Sequence, residues 1–385
     1  MDPTEKRIVI AVVREVAPDE QRVALVPEAV QKLTTSGYEV RVEHDAGAQA
    51  FYADERYVAA GATIAPSRAN LLAGASIVLC VQPLPTTDID MLTSGTILIG
   101  FMNAANNLAT VARMRDRNVT TFALELIPRI TRAQSMDALS SQATAGGYAA
   151  AILGAYHSPK FFPMLTTAAG TIRPATVLIL GAGVAGLSAI ATAKRLGAVV
   201  EAFDVRRAAG EQVRSLGAKF LELAIEAEGE GGYARELTQE EKLMEQQMVS
   251  TAVTHADVVI TTASIPGRKA PVLIAKETVA MMQPGAVIID LAAESGGNCE
   301  LTQCGKLVKE HGVTIAGPQN LPARVAFHAS QMYARNVQAF LSLVVNEDAV
   351  HAPEFTDEIL AASLLVSGGE VRHQPTVELI KGRML

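Results

Sequence analysis

One stretch constrains the fold more than any other: Val177-Leu178-Ile179-Leu180-Gly181-Ala182-Gly183-Val184-Ala185-Gly186. An apolar, β-prone run enters Gly-x-Gly-x-x-Gly, and an alanine-rich helical pattern follows from Leu187 to Leu196. Strand, glycine turn and helix in that order are the context a dinucleotide fingerprint requires. Gly181 permits the tight turn, Gly183 lets the backbone approach a pyrophosphate, and Gly186 lets helix and strand pack closely. Val184 and Ala185 open the helix, whose free N–H groups and partial positive charge face the phosphates. A second apolar run, Ala198 to Phe203, ends at Asp204, 18 residues after Gly186. A carboxylate there accepts the ribose hydroxyls of NAD and repels the 2′-phosphate of NADP. Val205 and Arg206 follow it, and Arg206 keeps NADP open as a lesser option. Taken alone, the glycine run could be a βα turn with no ligand. The flanking strand and helix, together with Asp204, favour binding.

At 385 residues the chain has room for two domains. Hydrophobic residues at 49% and charged residues at 19% exclude wholesale disorder. A net charge of −7 gives no reason to expect nucleic acid. Cys299 and Cys304 lack the second pair or histidine doublet of a zinc site, so reduced thiols and no metal are predicted. The charged start Met1–Arg7 and the short run Ile8–Val13 make neither a signal peptide nor a membrane span. No other stretch reaches about 18 uninterrupted apolar residues.

The first third of the chain alternates strand-like and helical patterns. Ile8–Val13, Tyr38–Val42, Ile77–Val81, Thr96–Phe101 and Thr120–Leu126 read as strands, and Pro27–Thr35 and Leu108–Arg115 as helices. This alternation predicts a parallel sheet with helices on both faces. A polar stretch from Pro128 to Asp137 then leads into a helix from about Met136 to Tyr156, with Ser135 as its N-cap and Asp137 in its first turn. Gly146 and Gly147 inside that helix suggest close packing. Beyond the fingerprint, helix Ala208–Leu216 and the apolar segment Phe220–Leu223 precede a glycine-rich loop, Glu226–Tyr233, and a polar helix, Thr238–Val249. Val258–Thr262, Ala286–Leu291 and Val313–Ala316 raise this half to about five parallel strands. Gln331–Val345 reads as a helix crossing back to the first half, and the last forty residues are weakly patterned. The expected fold is α/β: two doubly wound, parallel-sheet, Rossmann-like domains with a cleft between them. The first comprises residues 1–137 and 330–385, and the nucleotide domain comprises 138–329.

Several long motifs together resemble one family. They are Arg132-Ala133-Gln134-Ser135-Met136-Asp137, Thr167-Ala168-Ala169-Gly170-Thr171, the fingerprint with Ile190–Ala198, Ile288-Ile289-Asp290-Leu291-Ala292 with Gly296-Gly297-Asn298-Cys299, and the opening Arg14-Glu15 with Gln21–Leu25. The resemblance is to domain I of the proton-translocating nicotinamide nucleotide transhydrogenases, in the form where that domain is a separate bacterial α1 subunit. It runs over nearly the whole chain. It implies a homodimer that binds NAD(H) and exchanges hydride with NADP(H) on a partner domain III, with coupling through a membrane domain II. Neither partner domain is present in these 385 residues. Such a subunit would be cytoplasmic, held at the inner face of the plasma membrane by its partners. The family's arginine–glutamine–aspartate loop matches Arg129, Gln134 and Asp137, and its associated serine matches Ser140. The resemblance places these residues around the nicotinamide. Their chemistry fits: amide and guanidinium can fix the carboxamide, and a carboxylate can hold the arginine. The family's mobile loop, which closes with a tyrosine, matches the segment ending in Tyr233.

Alanine dehydrogenase, a relative of the same architecture, is the competing enzyme reading. It needs a proton acceptor and a cation for the substrate carboxylate, which that family supplies as a lysine after the third strand and a histidine after the next. The corresponding stretches here, Val78–Gln82 and Leu98–Asn103, contain neither, and that family's aspartate in the nucleotide lobe is Glu294. A regulatory NAD-binding protein without turnover would share the fingerprint, but would have no use for Arg129, Gln134 and Asp137. No histidine occupies a motif; His255, His311 and His328 read as helix-end or core residues.

Overall fold

The computed structural model describes residues 8–222, 238–264, 269–345 and 355–383. The expected loop 226–233, with Tyr233, lies outside the described residues. The chain divides into two units, Met1–Gln142 with Val325–Leu385, and Ala143–Arg324.

The first unit is built on an eight-stranded sheet. Its strands are β1 (Val9–Val12), β2 (Glu39–Glu43), β3 (Thr63–Ala65), β4 (Ile77–Leu79), β5 (Ile97–Gly100), β6 (Thr120–Ala123), β16 (Leu364–Ser367) and β17 (Glu370–Val371). Their order is β17-β16-β6-β5-β4-β1-β2-β3. β1 to β6 pair in parallel, whereas β16 joins β6 antiparallel. β1, β4 and β5 are buried on both faces because helices cover the sheet above and below, so they read as unbroken apolar runs. Residues of alternate parity along β1 feed two separate cores, Ile10 and Val12 one and Ala11 and Val13 the other. The helix Ala326–Val344 belongs to this unit and packs Tyr333, Val337 and Phe340 into the first core. It starts five residues before the expected Gln331.

The second unit carries a seven-stranded sheet: β9 (Thr176–Leu180), β10 (Val199–Phe203), β11 (Lys219–Phe220), β12 (Val258–Thr261), β13 (Val287–Asp290), β14 (Leu307–Glu310) and β15 (Val313–Ala316). The order is β11-β10-β9-β12-β13-β15-β14, parallel except for the edge strand β14. The five strands expected from apolar runs form the middle of this sheet. A separate hairpin, β7 (Leu165–Thr167) and β8 (Gly170–Ile172), precedes it. The polar helix extends from Gln239 to His255, six residues beyond the expected Val249.

The long connector helix spans Ala138–His157. Its cap differs from expectation. Thr131–Met136 forms a 3-10 helix, so Ser135 lies one turn too early to cap anything. Asp137 takes the role instead, accepting the Ser140 N–H at 2.8 Å and the Ser140 hydroxyl at 2.6 Å. Gly147 is glycine for steric reasons: a Cβ there would run into the carbonyl oxygen of Ala185. Gly146 has only ordinary contacts, with Pro322.

Candidate functional site

In the second unit the order of strands reverses between β9 and β12, since β10 and β11 lie on one side and β13 to β15 on the other. Ligands of open α/β sheets bind outside the carboxyl ends of the strands at such a switch point. The fingerprint turn is there. Gly181 follows β9 with φ +101°, a conformation that strains any residue with a side chain. The turn is fastened to β12 by the Thr262 hydroxyl, which donates to the Gly181 carbonyl at 3.0 Å. Gly183 stands at the N-cap of the helix Val184–Arg195, and a Cβ built on it meets only open space. Gly186 is buried in the first turn, where a Cβ would collide with the Gly181 carbonyl oxygen. Val184 is exposed and Ala185 half-buried at the start of that helix. The turn therefore combines a positive-φ glycine, an open N-cap and a glycine contact between helix and turn.

Asp204 follows β10 as expected. Its carboxylate accepts the Ala182 N–H at 2.7 Å, which ties the end of β10 to the fingerprint turn. It also accepts the Arg206 N–H at 2.8 Å and forms a fork with the Arg206 guanidinium, Nε to Oδ1 and Nη2 to Oδ2, both at 3.0 Å. Val205 is exposed beside them.

Sequence reasoning missed what holds the neighbouring loops. Asp290, at the end of β13 and fully buried, accepts five hydrogen bonds: from the hydroxyls of Thr261 and Thr302 and from the N–H groups of Ala292, Asn298 and Cys299. Asn298 in turn grips the strand-end loop after β12. It accepts the Ala263 N–H and donates to the carbonyls of Ala263 and Pro271. The signal was present as Asp290 with Gly296-Gly297-Asn298, but its structural meaning was not readable from spacing. Glu294 sits in a short 3-10 turn and accepts the Asn320 N–H at 3.3 Å.

In the first unit, Arg129 and Gln134 are exposed on the segment before the connector helix, and neither side chain is bonded to another described residue. The backbone beneath them is anchored. Ala133 and Met136 enter the core, Asn336 donates to the Ser135 carbonyl at 2.8 Å, and Arg132 pairs with Asp357 at 2.7 Å. The expected ion pair between Asp137 and Arg129 is not formed, because both oxygens of Asp137 are engaged by Ser140.

The switch point of the first sheet lies between β1 and β4. It is filled by the chain itself. The carboxyl group of Glu15, turned inward after β1, accepts the N–H groups of Val81 (2.5 Å) and Gln82 (3.1 Å) after β4. Burial pushes its pKa up to about 8 despite those two hydrogen bonds, and the neighbouring Glu20 adds to the shift. Burial also opposes ionisation of Glu20, but hydrogen bonds and charge from Arg22 outweigh it and bring the pKa down to about 2. Arg22 is 3% exposed and bonds Glu20 through Nε at 2.7 Å and Gln142 at 2.7 Å, while Gln82 donates to Glu20 at 2.9 Å. After β5 the pattern repeats: Glu125 accepts the N–H groups of Met102 and Asn103. Sequence reading noted what Val78–Gln82 and Leu98–Asn103 lack, but not that internal acids occupy the strand-end donors.

The three histidines sit at the surface. His255 ends a helix, His311 occupies the β14–β15 turn with φ +51°, and His328 is exposed on its helix, so none is a core residue. His44, Asp45 and Asp54 form a cluster at the surface of the first unit, with His44 Nδ1 2.6 Å from Asp54. Among the described residues no helix is long and apolar enough to cross a membrane.

Comparison with known proteins agrees with this geometry. Residues 11–146 match the family described as alanine dehydrogenase/PNT, N-terminal domain, and residues 150–374 match alanine dehydrogenase/PNT, C-terminal domain. A separately encoded piece of the NAD(P) transhydrogenase subunit alpha of Rhodospirillum rubrum is 47% identical over 374 residues, covering 94% of this chain and 97% of that protein. The crystal structure of transhydrogenase from Sinorhizobium meliloti superposes with a TM-score of 0.84 at 41% identity, covering 95% of this chain and 99% of that one. Alanine dehydrogenase of Mycobacterium tuberculosis is more distant, at 30% identity over 75% of this chain and 73% of that protein.

Proposed function

The chain belongs to the alanine dehydrogenase/PNT family, and within it we infer that it is the NAD(H)-binding subunit of a proton-translocating NAD(P) transhydrogenase. It is an oxidoreductase that works with partners: hydride passes between NAD(H) held here and NADP(H) on a partner domain, and a membrane partner couples the transfer to proton movement. Gly181, Gly183, Val184, Ala185 and Gly186 hold the pyrophosphate, and Asp204 with Val205 and Arg206 holds the adenosine ribose. Arg129, Gln134, Asp137 and Ser140 position the nicotinamide, and Tyr233 closes over the nucleotide. When bound, NAD(H) supplies the hydride; the chain's own residues bind it, orient its ring and exclude water.

One contrast carries this reading. The fingerprint turn of the second unit leaves Gly183 open at the start of a helix, whereas the strand-end N–H groups of the first unit are already taken by Glu15 and Glu125. A small carboxylate substrate, as alanine dehydrogenation requires, finds those donors occupied and no lysine or histidine in the stretches after β4 and β5. The same reading makes the chain a homodimer, for which Phe161, Met164 and Ile172, exposed around the β7–β8 hairpin, offer an apolar face. It also places the subunit at the cytoplasmic face of the membrane through its partners.

The deciding experiment mixes the purified chain with an NADP(H)-binding partner domain and follows hydride transfer from NADH to an NADP analogue. Transfer that requires both proteins is expected. Oxidation of L-alanine with NAD by the chain alone would overturn the reading in favour of the dehydrogenase.

A further inference from the structure

We propose that Asp204 and Arg206 form a specificity pair, in which Asp204 keeps a ready 2′-phosphate receptor out of use. The proposal rests on the nucleotide reading above. In the fork between them, the guanidinium supplies two of the four hydrogen bonds that Asp204 accepts, and the other two come from the backbone N–H groups of Ala182 and Arg206. A carboxylate offers about four acceptor sites, so this one is saturated without a ligand. The two partners are unequally fixed. The Asp204 side chain is 8% exposed, while that of Arg206 is 52% exposed and can swing away without disturbing the turn. A ribose diol can therefore replace the two guanidinium bonds and leave the two backbone bonds in place. The displaced guanidinium remains beside the 2′-position, and Arg207, also exposed, is next in the chain.

A 2′-phosphate meets a different balance. Asp204 repels it directly and also neutralises Arg206, the cation best shaped to grip it in a bidentate pair. Discrimination against NADP(H) thus lies in one carboxylate, and removing that charge releases the arginine to bind phosphate. Asparagine is the informative replacement, because its amide oxygen can still accept the Ala182 N–H and preserve the turn.

The test is fluorescence titration of the full chain with NADH and with NADPH. Asp204→Asn is expected to weaken NADH binding about tenfold and to tighten NADPH binding at least about tenfold over the wild type. The NADPH gain should fall with added salt and vanish in the double variant Asp204→Asn/Arg206→Gln. Asp204→Ser provides a second single variant should the asparagine form fold poorly. If the wild type binds NADH and neither single variant gains NADPH affinity, or if the gain survives loss of Arg206, the pair is overturned and the nucleotide reading stands. If the wild type takes up no NADH, the nucleotide reading itself falls.

Discussion

The carboxyl group of Glu15 accepts the backbone N–H of Val81 at 2.5 Å, linking the carboxyl end of β1 to that of β4. These are the two strands between which the first sheet changes direction, where an α/β domain ordinarily receives its ligand. Filling that place with an internal acid fits a subunit whose substrate is the dinucleotide itself.

Glu15 makes stability depend on pH. Its folded pKa of about 8 lies above the ordinary 4.5, so the folded state holds a proton that the unfolded state releases. Its contribution is fully present below about pH 4.5 and is lost as pH rises through 8, at no more than about 1.4 kcal/mol per pH unit. Glu20 has the opposite sign: with a pKa near 2, its contribution is present above about 4.5 and lost in acid. Denaturant unfolding between pH 5 and 8.5 should show wild-type stability declining relative to Glu15→Gln, which carries no titrating group there. Parallel curves would show that Glu15 is ionised throughout.

Gly186→Ala should damage both fold and binding. The added methyl meets the Gly181 carbonyl oxygen, which cannot move without breaking the turn. A loss of roughly 2–3 kcal/mol is expected from overpacking, together with loss of NADH binding. Thermal unfolding and NADH fluorescence measure the two effects separately.

Asp137→Ala removes the cap of the helix Ala138–His157. Caps of this kind contribute about 1 kcal/mol, so the melting temperature should drop by a few degrees. Asp137→Asn keeps one acceptor and should recover some of that loss. Reconstituted hydride transfer should fall in both variants.

Gln134→Asn separates positioning from folding. Gln134 is exposed and unbonded among the described residues, so stability should change by less than about 0.5 kcal/mol. NADH affinity should stay within about threefold, while hydride transfer to the partner nucleotide drops about tenfold or more, because a shorter amide misplaces the ring. Full-rate transfer would remove Gln134 from the positioning set.

Asp290→Ala should be among the most destabilising single changes. It strips an acceptor from two hydroxyls and three N–H groups around a fully buried site, for which about 3–5 kcal/mol is expected. Urea unfolding would register it, and the loss of Asn298's grip on the loop after β12 should weaken NADH binding as well.

The fingerprint was legible because each glycine answers a steric demand: Gly181 a positive φ, Gly186 a helix–turn contact. The central strands were legible because burial on both faces leaves only apolar residues in them. Short exposed strands carry no such imprint. β14, Leu-Val-Lys-Glu, and β8, Gly-Thr-Ile, are mostly exposed, and neither alternation nor apolar run marks them. The helix start was misread because Ser135 and Asp137 are both good caps; the 3-10 turn that chooses between them is a tertiary outcome of Ala133 and Met136 entering the core. Glu15, Glu20 and Arg22 looked like a solvated loop. Charges are buried only when partners meet them, and Gln142 lies 120 residues from Arg22. Arg129 and Gln134 are placed by structure but given a role only by kinship, since an exposed residue awaiting a ligand has no internal contact to reveal it.

The sheet edges carry a further consequence. β17 and β11 have two residues each, β3 has three, and β14 ends in Lys309 and Glu310, both exposed. Edges this short or charged offer poor templates for a foreign strand, so two large apolar sheets can exist at high concentration without zipping to one another. Association of this chain with its neighbours is thereby steered away from backbone pairing along the sheets and toward side-chain surfaces, where a partner can be chosen and released.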